Sequence, residues 1–379
     1  MSGRSKQIML VVGEASGDIH GAHLVKALSR KDESLRFFGV AGEQLSQTNF
    51  EVLLDVSKLA GMGLVELAGK LKSILRAYGA LRQALRERRP DLLVLIDFPE
   101  FNLRLAKLAK QLKIPVLYYI SPQVWAWRPG RIRQIAKWVD HMVVVFPFEV
   151  PLYQKQGVKV TFVGHPLLDI VHCRDSREAM LAQLALDTGK QTIAILPGSR
   201  HGEVSYHLPV LLDAASRLSQ RGGVQFLLIR ASTVARRDLE SILERVPLKI
   251  PVVEDKRYEA VNACDLVWTA SGTATVETAM LLKPMIIVYR LSWLTYALAR
   301  MLVKTKHVGM VNIIAGEAVV PELIQSHFTA DRILRETRNL LENRDLRDRI
   351  VSKLLALREK LGTPGAAHRV ANIAISMIG

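Results

Sequence analysis

Short apolar runs, each followed by a stretch with helical periodicity, recur along the whole chain. The first series is Ile8–Val12, Phe37–Val40, Leu92–Ile96, Val116–Tyr119 and Met142–Val145, and the second is Thr192–Leu196, Val224–Ile229, Pro251–Val253, Leu266–Trp268 and Met285–Tyr289. Runs of this kind, rich in Val, Ile and Leu, are typical of parallel strands that helices cover on both faces. The alternation therefore predicts two doubly wound α/β sheets.

The two series are separated by a passage rich in turn-forming and charged residues, Gly164–Pro166 followed by Arg174–Arg177. We place the hinge there, which divides the 379 residues into domains 1–168 and 169–345. Residues 346–379 have a purely helical pattern and either pack back on the first domain or exchange with a partner. Two Rossmann-like halves should face a cleft that the carboxyl ends of their strands line.

The chain is both basic and apolar. It has 52 Lys and Arg against 36 Asp and Glu, a net charge of +16, and its mean hydropathy is +0.15. This combination favours an anionic surface as a partner, either a membrane or a nucleic acid.

Cysteine content and hydropathy narrow the class of protein further. The two cysteines, Cys173 and Cys264, exclude a disulfide scaffold and a cysteine-based zinc site, and they fit a reducing compartment. No apolar run approaches the ~18 residues that span a bilayer, and the first residues lack the pattern of a signal peptide. We therefore expect a cytoplasmic protein.

Polar residues follow the strands of the first series. Gly13–Asp18 (GEASGD) is either a turn that Ser16 or Asp18 caps, or a polar substrate loop. Asp97 comes directly after an apolar run, so it is either a general base or a helix cap, and Glu100 offers it a second carboxylate. Two tryptophans in Ser121–Arg128 precede several basic residues and fit either a core or an aromatic and basic surface.

Two turns of the second series are suited to anions. Leu196–Arg200 (LPGSR) combines a glycine, which allows close backbone approach, with a guanidinium. Ser271–Thr273 opens a helix whose dipole favours an anion, and Glu277, one turn later, suits a ribose diol. Each turn is also compatible with an ordinary strand-to-helix connection.

The sequence has no Asp-x-Asp motif, no HExxH motif and no Cys/His cluster, so we expect no metal site. Two stretches, at 60–75 and 291–306, are amphipathic. Each is either a buried helix or an exposed apolar patch, bordered by Lys and Arg, that contacts a membrane or acyl chains.

Taken together, these motifs resemble one family. GEASGD at 13–18, IDFPEFN at 96–102, YISPQVWAWR at 119–128, LPGSR at 196–200, ASGTATVE at 270–277 and YR at 289–290 recur in the order and spacing of the lipid-A-disaccharide synthases. Residues 303–316 extend the similarity, which covers nearly the whole chain. The chain departs from the family pattern at Glu100, where the family has Asp, and the similarity is weak after Ala366.

The resemblance implies an inverting, metal-independent GT-B glycosyltransferase that needs no cofactor. Its donor would be UDP-2,3-diacylglucosamine and its acceptor 2,3-diacylglucosamine 1-phosphate (lipid X). The product would be the β-1,6-linked lipid A disaccharide 1-phosphate, with UDP released. Such an enzyme acts peripherally on the cytoplasmic face of the inner membrane of a Gram-negative bacterium, without nucleic acid; a homodimer is one option for its assembly.

The resemblance also implies roles for individual residues. Asp97 would be the general base, and Arg200 would stabilise the leaving diphosphate. The residues expected to bind the UDP donor are Gly198, Ser199, Arg200, Ser271, Gly272, Thr273, Glu277 and Asn312. The acceptor-binding candidates are Glu14, Ser16, Asp18, Asn102, Trp127 and Arg128. The candidates for membrane or acyl contact are Met62, Leu64, Trp293, Lys304 and Lys306.

Two alternatives belong beside this interpretation. Another UDP-sugar enzyme of GT-B fold, such as a 2-epimerase or a lipid-linked transferase, would share the second half but not the motifs of the first. A basic nucleic-acid-binding or membrane-binding protein without catalysis would explain the charge but not Asp97 at a strand end.

Overall fold

A computed structural model describes residues 5–56, 67–125, 130–293, 295–296 and 305–379. The chain divides into two compact units. Unit 1 comprises Met1–Pro166 together with Leu361–Gly379, and unit 2 comprises Leu167–Lys360.

Unit 1 is built on a parallel seven-stranded sheet. Its strands are β1 (Gln7–Val12), β2 (Arg36–Ala41), β3 (Phe50–Asp55), β4 (Leu92–Ile96), β5 (Val116–Tyr119), β6 (His141–Val144) and β7 (Val160–Phe162). Their order across the sheet is β3-β2-β1-β4-β5-β6-β7. The central strands are entirely buried, as their continuous apolar sequences require.

Helices connect the strands of unit 1. They are α1 (Ala15–Ser29), α2 (Glu43–Ser46), α3 (Leu67–Arg88), α4 (Pro99–Gln111), α5 (Arg131–Trp138) and α6 (Val150–Gln154). A 3₁₀ turn at Pro147–Glu149 precedes α6.

Unit 2 repeats the plan with a parallel six-stranded sheet. Its strands are β8 (Gln191–Leu196), β9 (Val224–Ile229), β10 (Val252–Val253), β11 (Leu266–Ala270), β12 (Met285–Tyr289) and β13 (Glu322–Ile324), in the order β10-β9-β8-β11-β12-β13. Its helices are α7 (Leu167–Ile170), α8 (Arg177–Gln183), α9 (His201–Ser219), α10 (Arg236–Leu243), α11 (Arg257–Asn262), α12 (Thr273–Met280), α13 (Met310–Ala315), α14 (Ala330–Glu342) and α15 (Arg344–Lys360). A 3₁₀ turn at Gln325–His327 follows β13.

The last helix, α16 (Ala366–Ile378), belongs to unit 1 and packs against α1. The guanidinium of Arg369 donates to the carbonyl of Val163 at 2.8 Å, and Lys6 Nζ donates to the carbonyl of Ile378 at 2.9 Å. Val370, Ala371 and Ala374 lie on one face of the helix and are fully buried, so the helix supplies part of the core of unit 1.

The two series of strands and the helical end of the chain agree with the sequence predictions. The strands that the sequence did not reveal are β3, β7 and β13, each at the edge of its sheet. Edge strands have one neighbour only, so their residues are less apolar and less buried than those of central strands.

Candidate functional site

The strand order of each sheet reverses at one point. In unit 1 the chain proceeds from β1 to one side and from β4 to the other, and in unit 2 the same holds for β8 and β11. Ligands of open α/β sheets bind beyond the carboxyl ends of the strands at such a reversal. The motifs that contain Glu14, Asp97, Arg200 and Ser271 each follow one of these four strands.

The neighbouring strands β1 and β4 end side by side, because their last residues, Val12 and Ile96, are paired in the sheet. Gly13 follows Val12 and packs directly on Phe98, where a Cβ on Gly13 would lie 2.1 Å from the Cβ of Phe98. Only glycine permits this approach, which brings the GEASGD loop beside Asp97.

The backbone at Asp97 has an unusual conformation. Both Asp97 (φ 52°) and Phe98 (φ 48°) adopt the left-handed region, which residues with a side chain rarely occupy. Such conformations cost about 1–3 kcal/mol each and concentrate at functional sites. Hydrogen bonds from Tyr118 Oη and Asn102 Nδ2, each 2.6 Å long, hold the carbonyl of Asp97 in place.

The surroundings of Asp97 favour the protonated carboxyl. Burial, followed by the negative charge of Glu14 and then that of Glu100, raises the pKa of Asp97 to about 6, although the backbone N–H of Phe98 opposes the shift. Glu100 itself is exposed and forms an ion pair with Arg131. Asp97 is therefore a half-buried carboxyl that changes charge near neutral pH, as a general base requires.

The side chains of Asp18 and Asn102, two of the acceptor-binding candidates, form hydrogen bonds with the protein's own backbone. The carboxylate of Asp18 accepts hydrogen bonds from the backbone N–H groups of Gly42, Gln44 and Leu45 at 2.7, 2.8 and 3.2 Å, so it fixes the start of α2. Asn102 is fully buried, and its amide nitrogen donates to backbone carbonyls at the end of β4.

The other acceptor candidates differ in how far the structure places them. Glu14 is exposed at the N-terminus of α1, and Ser16 is half-buried in the first turn of that helix. Trp127 and Arg128 lie outside the described residues, as do Met62, Leu64 and Lys304. Trp293, with 81% of its surface exposed, and Lys306 are both accessible in unit 2.

A buried carboxyl that the sequence analysis missed anchors the loop after β5. Glu149 is 1% exposed, and its Oε1 accepts a hydrogen bond from Trp125 Nε1 at 3.2 Å. Burial raises the pKa of Glu149 to about 8, even though hydrogen bonds from Ser121, Trp125 and the backbone of Phe146 and Val145 oppose the shift. The signal in the sequence is the acid set within the apolar segment Phe146–Val150.

The LPGSR turn of unit 2 is held from two sides. His207, fully buried in α9, has Nδ1 2.8 Å from the carbonyl of Pro197, and its Nε2 accepts the backbone N–H of Arg290 at 2.9 Å. These partners fix the neutral tautomer with hydrogen on Nδ1, and burial lowers the pKa of His207, which keeps the ring neutral.

Glu203, which lies near the start of α9, holds the LPGSR turn from the other side. Gly198 (φ 133°) brings the backbone against this side chain, and Glu203 Oε2 accepts the backbone N–H of Ser199 at 2.9 Å. Arg200 directly precedes α9; its guanidinium lies 3.4 Å from Glu203 Oε1 and remains largely exposed.

The turn after β11 opens α12. Gly272 has φ 152° and precedes the exposed Thr273, the first residue of the helix, while Ser271 donates to the carbonyl of Val308 at 2.9 Å. The N-terminus of α12 thus carries the positive end of a helix dipole at the point where the strand order reverses.

Glu277 lies one turn into α12 and has partners that the sequence analysis did not identify. Arg257 Nη2 donates to Glu277 Oε1 at 2.8 Å, and Tyr258 Oη lies 3.3 Å from the same oxygen. Burial raises the pKa of Glu277, and the charge of Arg257 opposes the shift.

Asn312, which the sequence predicts to bind the donor, hydrogen-bonds within the protein. The side chain is fully buried in α13; its nitrogen donates to Val320 and Glu322, and its oxygen accepts from Val319 and Val320. With both polar atoms engaged in the protein, Asn312 stabilises the segment between α13 and β13.

Within the described ranges, no helix is long and apolar enough to cross a membrane. The same part of the chain contains no group of three or more His, Cys, Asp or Glu side chains arranged to hold a metal ion.

Comparison with known proteins identifies the family. The sequence profile of lipid-A-disaccharide synthetases matches residues 8–369. A lipid-A-disaccharide synthase of Geobacter sulfurreducens is 45% identical over 376 residues, which are 99% of this chain and 98% of that protein. The chain belongs to the lipid-A-disaccharide synthase family. The prediction of a glycosyltransferase of this family is therefore confirmed, and the alternatives of an epimerase or a non-catalytic binding protein are not supported.

Solved structures share the fold at low sequence identity. A UDP-GlcNAc 2-epimerase of Methanocaldococcus jannaschii, solved with UDP-GlcNAc and UDP, has a TM-score of 0.64 at 12% identity, over 98% of this chain and 99% of that one. A calicheamicin glycosyltransferase has a TM-score of 0.64 at 14% identity, over 100% and 99% of the two chains. With the two parallel sheets, these similarities confirm the predicted GT-B fold class.

Proposed function

We propose that this member of the lipid-A-disaccharide synthase family transfers 2,3-diacylglucosamine from UDP-2,3-diacylglucosamine to the 6-hydroxyl of 2,3-diacylglucosamine 1-phosphate. The products are the β-1,6-linked disaccharide 1-phosphate and UDP, in the biosynthesis of lipid A. The match to the family over residues 8–369 supports the reaction. The observation that carries the mechanism is Asp97, a carboxyl of raised pKa at the end of β4.

Asp97 acts as the general base. Its carboxylate accepts the proton of the acceptor 6-hydroxyl while the oxygen forms a bond to C1 of the donor sugar. A base with a pKa of about 6 is largely ionised at neutral pH, yet more basic than an ordinary aspartate. Glu14 lies close enough to act electrostatically on Asp97, and Ser16, Trp127 and Arg128 remain candidates for binding the acceptor.

The positive groups of unit 2 stabilise the departing UDP. As the bond between C1 and the phosphate oxygen breaks, the electron pair leaves with the diphosphate. The exposed guanidinium of Arg200 and the N-terminus of α12 at Gly272 and Thr273 supply charge that compensates this anion. Gly198, Ser199 and Ser271 shape the two turns, and Glu277 binds the ribose hydroxyls.

We assign acceptor binding to residues 1–168 and donor binding to residues 169–345. For the lipid substrates, we propose that the protein binds peripherally to the cytoplasmic face of the inner membrane. The exposed Trp293 and Lys306 support this proposal. Met62, Leu64 and Lys304 remain candidates for membrane or acyl contact from the sequence alone. Vesicles containing anionic lipid should retain the protein, and Trp293→Ala should weaken retention.

The deciding experiment incubates the purified protein with UDP-2,3-diacylglucosamine and ³²P-labelled 2,3-diacylglucosamine 1-phosphate in the presence of EDTA. A more lipophilic phosphorylated product on thin-layer chromatography supports the donor, the acceptor and catalysis without a divalent metal. A product that forms only when Mg²⁺ replaces EDTA contradicts the metal-independent mechanism alone. If UDP binds by calorimetry but no product forms in either buffer, the substrates are wrong.

A further inference from the structure

We propose that Tyr118 and Asn102 are positioning residues for Asp97. Both side chains hydrogen-bond to the backbone carbonyl of Asp97 and so fix the left-handed turn from which its carboxyl projects. This inference rests on the proposed role of Asp97 as the general base. It assigns to two buried side chains a function in catalysis that they perform without touching the substrate.

The turn needs such support because the chain leaves the sheet at this point. β4 ends at Ile96, and Asp97 and Phe98 then take two successive left-handed conformations before α4 begins at Pro99. A carbonyl in this interior position needs another hydrogen-bond donor once it leaves the regular pattern of the strand.

Two side chains from different elements provide the donors. The hydroxyl of Tyr118, in β5, lies 2.6 Å from the carbonyl oxygen of Asp97, and the amide of Asn102, in α4, lies 2.6 Å from the same oxygen. The Asn102 amide also reaches the carbonyl of Ile96 at 3.3 Å. The carbonyl is thus bound by the neighbouring strand and by the helix that follows it.

Both donors are themselves held rigidly. Tyr118 and Asn102 are fully buried, and Tyr118 pairs with Leu95 in the register of β4 and β5. Burial raises the pKa of Tyr118 well above its ordinary value, so its hydroxyl keeps its proton and remains a donor. A catalytic group supported in this way is held near its productive geometry, and an error of about 1 Å in that geometry can cost ~10²-fold in rate.

The test compares Tyr118→Phe with the wild type in the disaccharide synthase assay. The variant retains the buried ring and loses only the hydroxyl, so we expect kcat to fall by roughly 10- to 100-fold. UDP affinity, which we assign to unit 2, should stay unchanged in calorimetry. In an Asp97→Asn background, Tyr118→Phe should cause no further loss, because its effect acts through the Asp97 carboxylate.

The matched control is Tyr153→Phe. Tyr153 is an equally buried tyrosine of unit 1, but its hydroxyl pairs with Ser121 at 2.6 Å. We expect this variant to keep kcat within twofold of the wild type; an equal loss in both variants overturns the inference. If Tyr118→Phe fails to fold, as judged by circular dichroism, Asn102→Leu replaces it in the same comparison with the same expected result.

The two proposals fail in different ways. Full activity in Asp97→Asn overturns the role of Asp97 as the base, and this inference with it. A large loss in Asp97→Asn together with wild-type kcat in Tyr118→Phe overturns the positioning role alone, as does a loss in Tyr118→Phe that persists undiminished in the Asp97→Asn background.

Discussion

Glu203 accepts the backbone N–H of Ser199 at 2.9 Å, so a carboxylate closes the turn to which we assign the diphosphate of the donor. The side chain also lies 3.4 Å from the guanidinium of Arg200. An anion that approaches this turn therefore meets the carboxylate of Glu203 as well as two donors, the N–H of Ser199 and the guanidinium of Arg200.

Replacing this carboxylate by an amide should strengthen nucleotide binding. Glu203→Gln keeps an oxygen that accepts the Ser199 N–H and removes the repulsion between the carboxylate and the diphosphate, which is on the order of 1 kcal/mol for two unit charges about 4 Å apart in water. We expect the Kd for UDP, measured by calorimetry at low salt, to fall by roughly 3- to 10-fold. An unchanged Kd would place the diphosphate away from this turn.

Removing the guanidinium should have the opposite effect. Arg200→Ala loses charge-assisted hydrogen bonds to the diphosphate, so UDP affinity and kcat should both fall, affinity by roughly 10- to 100-fold. Arg217→Ala is the control: Arg217 lies near the end of α9, the helix that Arg200 precedes, and pairs with Asp213 and Asp331 at the surface. If the two variants bind UDP equally well, Arg200 does not contact the nucleotide.

The rate should follow the ionisation of Asp97. Only the ionised carboxylate accepts a proton, so kcat/KM of the wild type, which follows the free enzyme, should rise with pH through an inflection near the pKa of about 6. Glu14→Gln removes a negative charge that raises this pKa, and it should move the inflection to lower pH. Asp97→Asn should lower kcat by ~10²–10⁴-fold at every pH. Steady-state rates between pH 5 and 8 test all three statements, and an inflection that Glu14→Gln leaves in place would contradict the electrostatic coupling.

Glu149 should make the protein less stable in mild alkali. Its pKa is about 8 in the folded protein and 4.5 ordinarily, so the folded state binds the proton more tightly than the unfolded state. The favourable contribution is complete below pH 4.5 and is lost progressively as the pH rises to about 8. The side chain of Glu149→Gln cannot ionise. The Tm of this variant should therefore fall less than the Tm of the wild type when the pH is raised from 6 to 9. Parallel losses in the two proteins would show that Glu149 does not titrate in this range.

Sequence patterns located Asp97 and Arg200 because both follow buried strands, and the strand order then places them where each sheet reverses. The same patterns did not separate Asp97 from Asp18 or Asn312. All three are polar residues near strand or helix ends, but Asp18 binds the backbone of Gly42, 24 residues away, and Asn312 binds that of Val319 in the segment after its own helix. Which backbone group lacks a partner is decided by tertiary packing, and no local pattern encodes it.

The partners of the candidate residues were hidden for a related reason. Tyr118 reads as an ordinary member of an apolar strand, and Arg257 as one of many surface cations. Their roles depend on single contacts, to the carbonyl of Asp97 and to the carboxylate of Glu277, across 21 and 20 residues of sequence.

Because α16 packs on α1, the two units cannot fold in the order in which their first residues are synthesised. Residues 167–360 form unit 2 as one uninterrupted segment, whereas unit 1 needs the last helix as well as the first 166 residues. During synthesis, the first half of the chain therefore leaves the ribosome with the surface of α1 still uncovered. Unit 1 is therefore completed only after all of unit 2 has been synthesised and has had the chance to fold.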